Sequence, residues 1–516
     1  MSKSLFKSTS VVASMTMISR IFGFLRDMVT AHLFGAAASF DAFSVAFRIP
    51  NFMRRLFAEG SFSQAFVPVL SEYQKQKSPE EIKQFIGAMA GTLGFVLLCV
   101  TIGGIVLAPW IIRLFAPGFA TEGARFDMAV TMLRITFPYL LFISLTAFAG
   151  AILNTHSRFW VAAFTPVFLN ICMIAAAFYL APRFNIPIVG LAWGVFVAGI
   201  VQFIFQWPFL KKIGMLPSPR IRFYDSGVRR VLKLMVPALF GVSVSQVNLL
   251  LDTLFASFLI VGSVSWLYYS DRLMEFPLGV IGVAISTVIL PHLSRHHASS
   301  ANEDFSQTID WALRCVLLVG LPAAVVFAMI SGPLLSTLLQ HGHFDARAVM
   351  MTRKSLSMFA IGIAPFMLIK ILAAGFYAKQ DMRTPVRIGI LAMIANMVFN
   401  IILIWPLKHA GIALATSLSA ILNSWFLFYF LHKQKIYVPR EGWRFFSFRL
   451  CFANVVLAIF LWFGSGDIHE WVSHPTLWRV AHLSGLLFFA IVIYFAGLWL
   501  AGLRPRDVLI PQRQIA

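Results

Sequence analysis

Charge is what this chain has least of: Asp, Glu, Lys and Arg make up only 12% of its 516 residues, against 59% hydrophobic. Acids are the scarcer half, 21 against 42 basic residues, leaving a net charge of +21 and a mean hydropathy of +0.81. The four cysteines, Cys99, Cys172, Cys315 and Cys451, all sit in apolar runs without metal-ligand spacing, so neither a disulfide nor a zinc site is implied. No P-loop, GxSxG, HExxH or paired-aspartate nuclease pattern occurs, which argues against ATP hydrolysis and against an enzyme; no catalytic residue, metal or resident cofactor is expected. The short alternating segments of a membrane barrel are missing as well.

What is there is apolar runs, recurring at about 20 residues, the length that carries a helix across a bilayer. About fourteen such spans can be drawn, and the expected class is an all-α polytopic membrane protein. Several charges interrupt the spans at 11–34, 38–57 and 264–290, and Asp252 lies in the span at 231–259. A net positive charge suggests nucleic acid in a soluble protein. In a membrane protein it follows from the excess of Lys and Arg in cytoplasmic loops, so no nucleic-acid partner is expected. The loop holding Lys211, Lys212, Arg220, Arg222, Arg229, Arg230 and Lys233 places both termini on the cytoplasmic side. Lys3 and Lys7 precede an apolar run, but Arg20 interrupts it and no small-residue cleavage site follows, so the first span reads as uncleaved.

The chain also repeats itself. Gly150 to Asn154 with Arg158 matches Gly375 to Lys379 with Arg383, Pro68 to Ser71 matches Pro291 to Ser294, and Gly190 to Lys212 matches Gly411 to Lys433. The offsets agree at roughly 220 residues, which implies two six-helix lobes related by a pseudo-two-fold axis along the membrane normal. The expected division is an N-terminal lobe 1–218, a C-terminal lobe 219–437 and two additional helices in 438–516.

Charges at bilayer depth cost about 2.5–3.5 kcal/mol each on insertion scales, so a span that keeps several turns them toward protein or a water-filled chamber. Arg20, Arg26 and Asp27 fall in the first span. Asp41, Arg48, Arg54, Arg55 and Glu59 follow in a stretch that Pro50 and Gly60 are expected to break, and Asp271, Arg272 and Glu275 lie in the eighth span. Arginines predominate. The guanidinium stays charged and binds two phosphate oxygens at once, which suits a phosphate site; buried salt bridges and gates are the alternative, strongest for Arg54, Arg55 and Glu59 near the inner edge. A quieter group, Asp252, Asn396, Asn400 and Thr416, could hold Na⁺ or a proton, or could simply hydrogen-bond helices to one another. His292, His296 and His297 beside Arg295 read as a solvated, headgroup-level edge.

The runs SMTMISRIFGFLRD, FDAF, RIPNFMRRLFAEGSFSQAFVPVLSEY, GVSVSQVNLLLDTLFASFL and GSVSWLYYSDRLMEFPLGVIGVA resemble the MurJ (MviN) family of bacterial lipid II flippases, within the multidrug/oligosaccharidyl-lipid/polysaccharide exporter superfamily. The resemblance covers essentially the whole chain. It implies a central cavity between the lobes, a cytoplasmic-membrane location, and a peptidoglycan precursor on undecaprenyl diphosphate moved outward by alternating access. It further implies Arg20, Arg26 and Arg272 as diphosphate ligands, Asp41, Arg48, Asp271 and Glu275 as cavity charges, and Arg54, Arg55 and Glu59 as an inner gate. The added helices would line a groove for the lipid tail. Asp252, Asn396, Asn400 and Thr416 resemble a sodium site of some members, although a second carboxylate would be preferred where Asn400 stands. Coupling to Na⁺, H⁺ or the membrane potential, a monomer among membrane lipids, and contacts with cell-wall synthesis proteins complete the expectation. Flipping of another polyprenyl-diphosphate oligosaccharide, or cation-coupled drug export, are the alternatives.

Overall fold

The computed structural model describes residues 3–56, 62–279 and 302–504, and every regular element among them is helical. The chain divides into two compact units, Met1–Ser265 and Trp266–Ala516.

The first unit holds α1 (Lys3–Phe34), α2 (Ala38–Arg54), α3 (Ser63–Gln76), α4 (Pro79–Val106), α5 (Ala108–Phe115), α6 (Gly123–Thr136), α7 (Tyr139–Thr155), α8 (Phe159–Phe164), α9 (Pro166–Ala175), α10 (Ile188–Lys212), α11 (Ser226–Ser257) and the first residues of α12 (Ser263–Pro277). Local chemistry sets several boundaries. A capping box starts α4, with the Ser78 hydroxyl accepting from the Glu81 amide, the Glu81 carboxylate accepting from the Ser78 amide, and Pro79 at the first turn. Asp225 caps α11 by accepting from the amides of Gly227 and Val228.

Pro50 does not break α2, which continues to Arg54. Proline leaves the carbonyl four residues back without its helical donor. Here that carbonyl is Ala46, and the Thr136 hydroxyl of α6 donates to it at 3.4 Å. An aromatic cluster joins α3, α4 and α7, with Phe66 packed 5.1 Å from Phe62, 5.1 Å from Phe148 and 5.8 Å from Phe85. Val228 and Val231 bring the first turns of α11 into the same core. That packing, with contacts of α11 to α2, α3, α4 and α5, carries the unit past residue 218, where the sequence divided the lobes.

The second unit contains the rest of α12, then α13 (Asn302–Met329), α14 (Ser331–Leu338), α15 (Ala346–Ala360), α16 (Ile363–Ala378), α17 (Arg383–Leu407), α18 (His409–Lys433), α19 (Trp443–Ser465), α20 (Ile468–Ser473) and α21 (Thr476–Leu500). The two added helices, α19 and α21, pack on each other and on α13 and α14 through Leu450, Leu457, Leu461, Leu483 and Leu486.

Polar clamps hold both ends of that pair. At one end the buried Asp310 carboxylate accepts from Tyr437 Oη at 2.8 Å, Trp443 Nε1 at 2.6 Å and Arg314 Nε at 2.8 Å. Its charge and its own burial push the Tyr437 phenol up. At the other end the buried Arg479 guanidinium donates to the carbonyls of His474, Ser336 and Val472, at 2.7, 2.8 and 3.2 Å. Among the described residues no carboxylate pairs with it; Ser336 lies near the C-terminus of α14, where the helix dipole presents partial negative charge.

Ten described segments are long and apolar enough to cross a membrane. The described parts of the expected spans at 11–34, 38–57, 231–259 and 264–290 include α1, α2, α11 and α12, which carry several charges and are not among these ten.

Asp310→Ala strips these three donors and the Arg440 amide of their acceptor and should cost about 2 kcal/mol or more. A lowered unfolding midpoint in detergent, with faster proteolysis within 434–442, is the expected result.

Candidate functional site

Positions 41, 48 and 55 recur every seven residues, so they fall on one stripe of α2 and its C-terminal continuation. All three reach the segment formed by α11 and the residues just after it. Asp41, fully buried, accepts from the amides of Gly262 and Ser265 at 2.7 and 2.8 Å, and from the Ser265 hydroxyl. Those amides flank the start of α12, so Asp41 acts as an N-terminal cap supplied by another helix. Arg48 Nη1 donates to the Thr253 hydroxyl, and Arg55 Nη1 to Gln246 Oε1 at 3.5 Å. Thr253 and Gln246 are themselves seven residues apart on α11. Arg54 turns back on its own helix, donating twice to Asn51 Oδ1 at 2.9 and 3.0 Å. The third member of the expected inner gate, Glu59, lies outside the described residues, as do His292, Arg295, His296, His297 and the Pro291 to Ser294 repeat.

Arg125 was not anticipated. It donates to Asp41 Oδ2 at 3.2 Å and to Glu122 at 3.1 Å while its guanidinium lies 4.2 Å over the Phe119 ring, and it is buried. The sequence signal was the Glu122, Arg125 pair one helical turn apart at the start of an otherwise apolar run. At the same end Gly118 comes so close to α11 that a Cβ would meet the Ser257 carbonyl oxygen at 2.2 Å; its amide donates to the Ser257 hydroxyl at 3.1 Å.

On α1, Arg26 is buried, with Nε and Nη2 donating to Asp27 at 3.0 and 2.7 Å and Nη1 to Asn170 of α9 at 3.0 Å. Asn170 is a second residue that sequence reading passed over; its amide donates in turn to the Ser19 carbonyl at 3.1 Å. Arg20 is partly exposed and makes no hydrogen bond or ion pair among the described residues.

In the second unit, Asp271, Arg272 and Glu275 share α12. Arg272 Nη1 lies 2.8 Å from Glu275 Oε2, and its guanidinium is 5.2 Å from the centre of the Tyr268 ring. Lys370, a lysine inside the apolar α16 that carried no role in the sequence reading, donates to the Leu278 carbonyl at 3.4 Å. Asn396, Asn400 and Thr416 do come together: Asn400 Nδ2 donates to Asn396 Oδ1 at 2.8 Å, and Asn396 Nδ2 to the Thr416 hydroxyl at 3.3 Å. Asp252, the carboxylate expected beside them, belongs to the first unit. Among the described residues no group of three His, Cys, Asp or Glu side chains is placed to hold a metal ion.

A family model described as "Lipid II flippase MurJ" matches residues 30–482. The chain is 47% identical to the probable lipid II flippase MurJ of Haemophilus influenzae, over 96% of this chain and 99% of that one. It is 42% identical to the lipid II flippase MurJ of Burkholderia cenocepacia, over 97% and 98%. Among solved structures, a lipid II flippase MurJ in an inward closed conformation matches with a TM-score of 0.81 at 26% identity, covering 97% of this chain and 99% of that one. An inward-facing MATE-family multidrug transporter of the MOP superfamily shares the fold at a TM-score of 0.68 and 12% identity, covering 82% and 97%.

The Asp41–Arg125 pair is open to a double-mutant cycle. Arg125→Ala leaves a buried carboxylate short of its counter-charge and should cost about 3 kcal/mol. Combined with Asp41→Asn, the two changes should fall short of additivity by roughly 1–3 kcal/mol. Simple addition of the two losses, read by thermal unfolding in detergent, would remove the pair from any gating argument.

Proposed function

The chain belongs to the lipid II flippase MurJ family, and from that premise we propose that it carries an undecaprenyl-diphosphate-linked disaccharide-pentapeptide from the inner to the outer leaflet of a bacterial cytoplasmic membrane. One observation carries the reading: identity of 47% runs over 96% of the chain, so the charged helices lie inside the matched length together with the apolar ones. The protein is an integral membrane protein, and flipping moves the substrate without breaking a covalent bond.

Arg20, Arg26 and Arg272 are the residues we assign to the diphosphate. The assignment rests on guanidinium chemistry, two parallel N–H donors matched to two phosphate oxygens. Their surroundings suggest different parts in it. Arg20 has its donors open, Arg26 is oriented by Asp27 and Asn170, and Arg272 must exchange Glu275 for phosphate. Asp41, Arg48, Asp271 and Glu275 would tune the same path, with Arg54, Arg55 and Glu59 at its inner end. The tail would follow α19 and α21, whose outer faces carry exposed Phe452, Phe463, Phe488 and Phe495.

Both termini are assigned to the cytoplasm on the basic cluster between Lys211 and Lys233. Transport is by alternating access. The inside-negative potential pushes each negative charge outward by about 2.3 kcal/mol per 100 mV, the direction the head group travels. The Asn396, Asn400, Thr416 group with Asp252 is where Na⁺ or H⁺ would couple, should the potential not suffice. We assign no resident cofactor, treat the chain as a monomer, and leave cell-wall synthesis proteins as candidate partners.

Two measurements test this reading. In cells depleted of their own lipid II flippase, wild-type protein should restore cleavage of outer-leaflet lipid II by an externally added lipid II-cleaving toxin, and Arg272→Ala at equal membrane abundance should not; restoration by that variant would overturn the arginine assignment. Collapsing the membrane potential at constant pH gradient should slow the same signal several-fold, and an unchanged rate would count against the potential as the driving force.

A further inference from the structure

The linker between α10 and α11 is not loose. Its backbone lies against two glycines of α4, where a Cβ on Gly87 would meet the Ser218 carbonyl oxygen at 2.5 Å and one on Gly91 would meet the Arg220 backbone at 2.4 Å. Two hydrogen bonds fix it there, from the Arg220 amide to the Gly87 carbonyl at 3.0 Å and from the Arg222 amide to the Thr92 hydroxyl at 3.1 Å. Phe223 packs edge-on against Phe95 at 6.1 Å. With its backbone bound, the linker turns its side chains outward. Arg220 and Arg222 are exposed, and among the described residues their guanidinium groups make no hydrogen bond or ion pair. Ile221 is 58% and Tyr224 88% exposed.

Thr92 is also the first residue of an apolar crevice of about 50 Å³, which runs between Val96 and Val100 of α4 and Leu232 and Met235 of α11. Between Thr92 and Val100 it follows α4 for about 12 Å, in the direction of the bilayer centre. Val96 and Val100 are 39% and 37% exposed, so the crevice opens on the exposed apolar side of α4. Its floor includes Ser144, 3% exposed, whose hydroxyl has no hydrogen-bond partner among the described residues. The space is lined as hydrocarbon, with one unused hydroxyl.

We propose that this crevice and the arginines at its mouth form a site for one anionic phospholipid of the cytoplasmic leaflet, the acyl chain lying along Val96 and Val100 and the phosphate held by Arg220 and Arg222. The site lies within the first unit and rests on the orientation proposed above. Two arginines without a facing acid, at the depth where α4 enters the bilayer, complement an anionic head group and give a zwitterionic one no advantage. Exposed Ile221 and Tyr224 between and beside them suit the boundary between head groups and chains.

The test is native mass spectrometry of the purified full chain with phosphatidylglycerol and phosphatidylcholine as probes, on wild type, Arg220→Gln/Arg222→Gln and Val96→Trp, with unfolding midpoints confirming that each variant folds. Wild type should retain phosphatidylglycerol in preference to phosphatidylcholine. The arginine pair variant should lose that preference by about tenfold or more. Val96→Trp, which fills the crevice from its open side, should reduce retention of both lipids. Wild-type retention in either variant overturns the site: an unchanged Val96→Trp would reduce it to general surface attraction, and an unchanged arginine pair would remove the head-group contact. Both variants should still support outer-leaflet lipid II cleavage, so loss of lipid retention with transport intact speaks to this site alone, and failure of wild-type transport speaks only to the function assigned above.

Discussion

A charge placed inside a membrane helix must be met by another group, and the first unit is arranged around that requirement. Its second helix presents an acid, an arginine and another arginine at seven-residue intervals, and each finds a polar partner on or just beyond α11. Apolar packing could have held two helices together, but it could not have neutralised Asp41. That carboxylate needs two amides, a hydroxyl and Arg125 to sit fully buried. The surrounding pieces follow from it: the loop before α12 is drawn to Asp41, and Arg125 is held over Phe119 with Gly118 pressed against Ser257.

Burial is compensated differently in the second unit. Asp310 and Arg479 are both buried, but their partners tie the added helices to α13 and α14 at two ends. Each makes at least three hydrogen bonds, and their loss would leave desolvated charge behind, so these clamps hold one arrangement. A hairpin fastened in this way travels with the helices that hold it. The groove expected along α19 and α21 therefore has one rigid wall.

Much of this was legible before any coordinates. Hydropathy located the apolar helices, and the insertion cost of charge drew attention to α1, α2 and α12, the helices whose charged side chains pair in the structure. What the sequence withheld was pairing. Seven-residue spacing of 41, 48 and 55 could be read, but not that Thr253 and Gln246 stand opposite, because polar residues in an apolar run carry no address. Pro50 looked like a break, since nothing in sequence says that Thr136 supplies a donor to Ala46 from another helix. Arg125 was hidden by its place at a loop edge, where a charge is ordinarily solvated. The second lobe was drawn from residue 219, whereas packing keeps α11 with the helices before it, because Val228 and Val231 belong to their aromatic core.

That last difference bears on how the first unit could move. The start of α11 is fixed by apolar contacts: Val228 and Val231 are fully buried, and Gly227 lies so close to Tyr73 and Phe85 that a Cβ would meet them within 2.7 Å. Separating such surfaces costs about 25 cal/mol for each Å² of apolar area exposed, with nothing recovered from water. From Gln246 onward the links from α2 and its continuation are hydrogen bonds, to the side chains of Gln246 and Thr253 and, at Asp41, from the amides of Gly262 and Ser265 and the Ser265 hydroxyl. Each rung has one charged partner, and opening it to water exchanges one hydrogen bond for another at a net cost of about 1.5–3 kcal/mol. The N-terminal end of α11 is thus the more firmly held part, and the stretch from Gln246 onward the more readily parted. Asp41, as the rung with most bonds, sets the largest single cost of opening. Moving a unit charge through 100 mV changes its energy by about 2.3 kcal/mol, the same order as one such rung. The seam is therefore within reach of an energy of that size, and the aromatic core beside it is not.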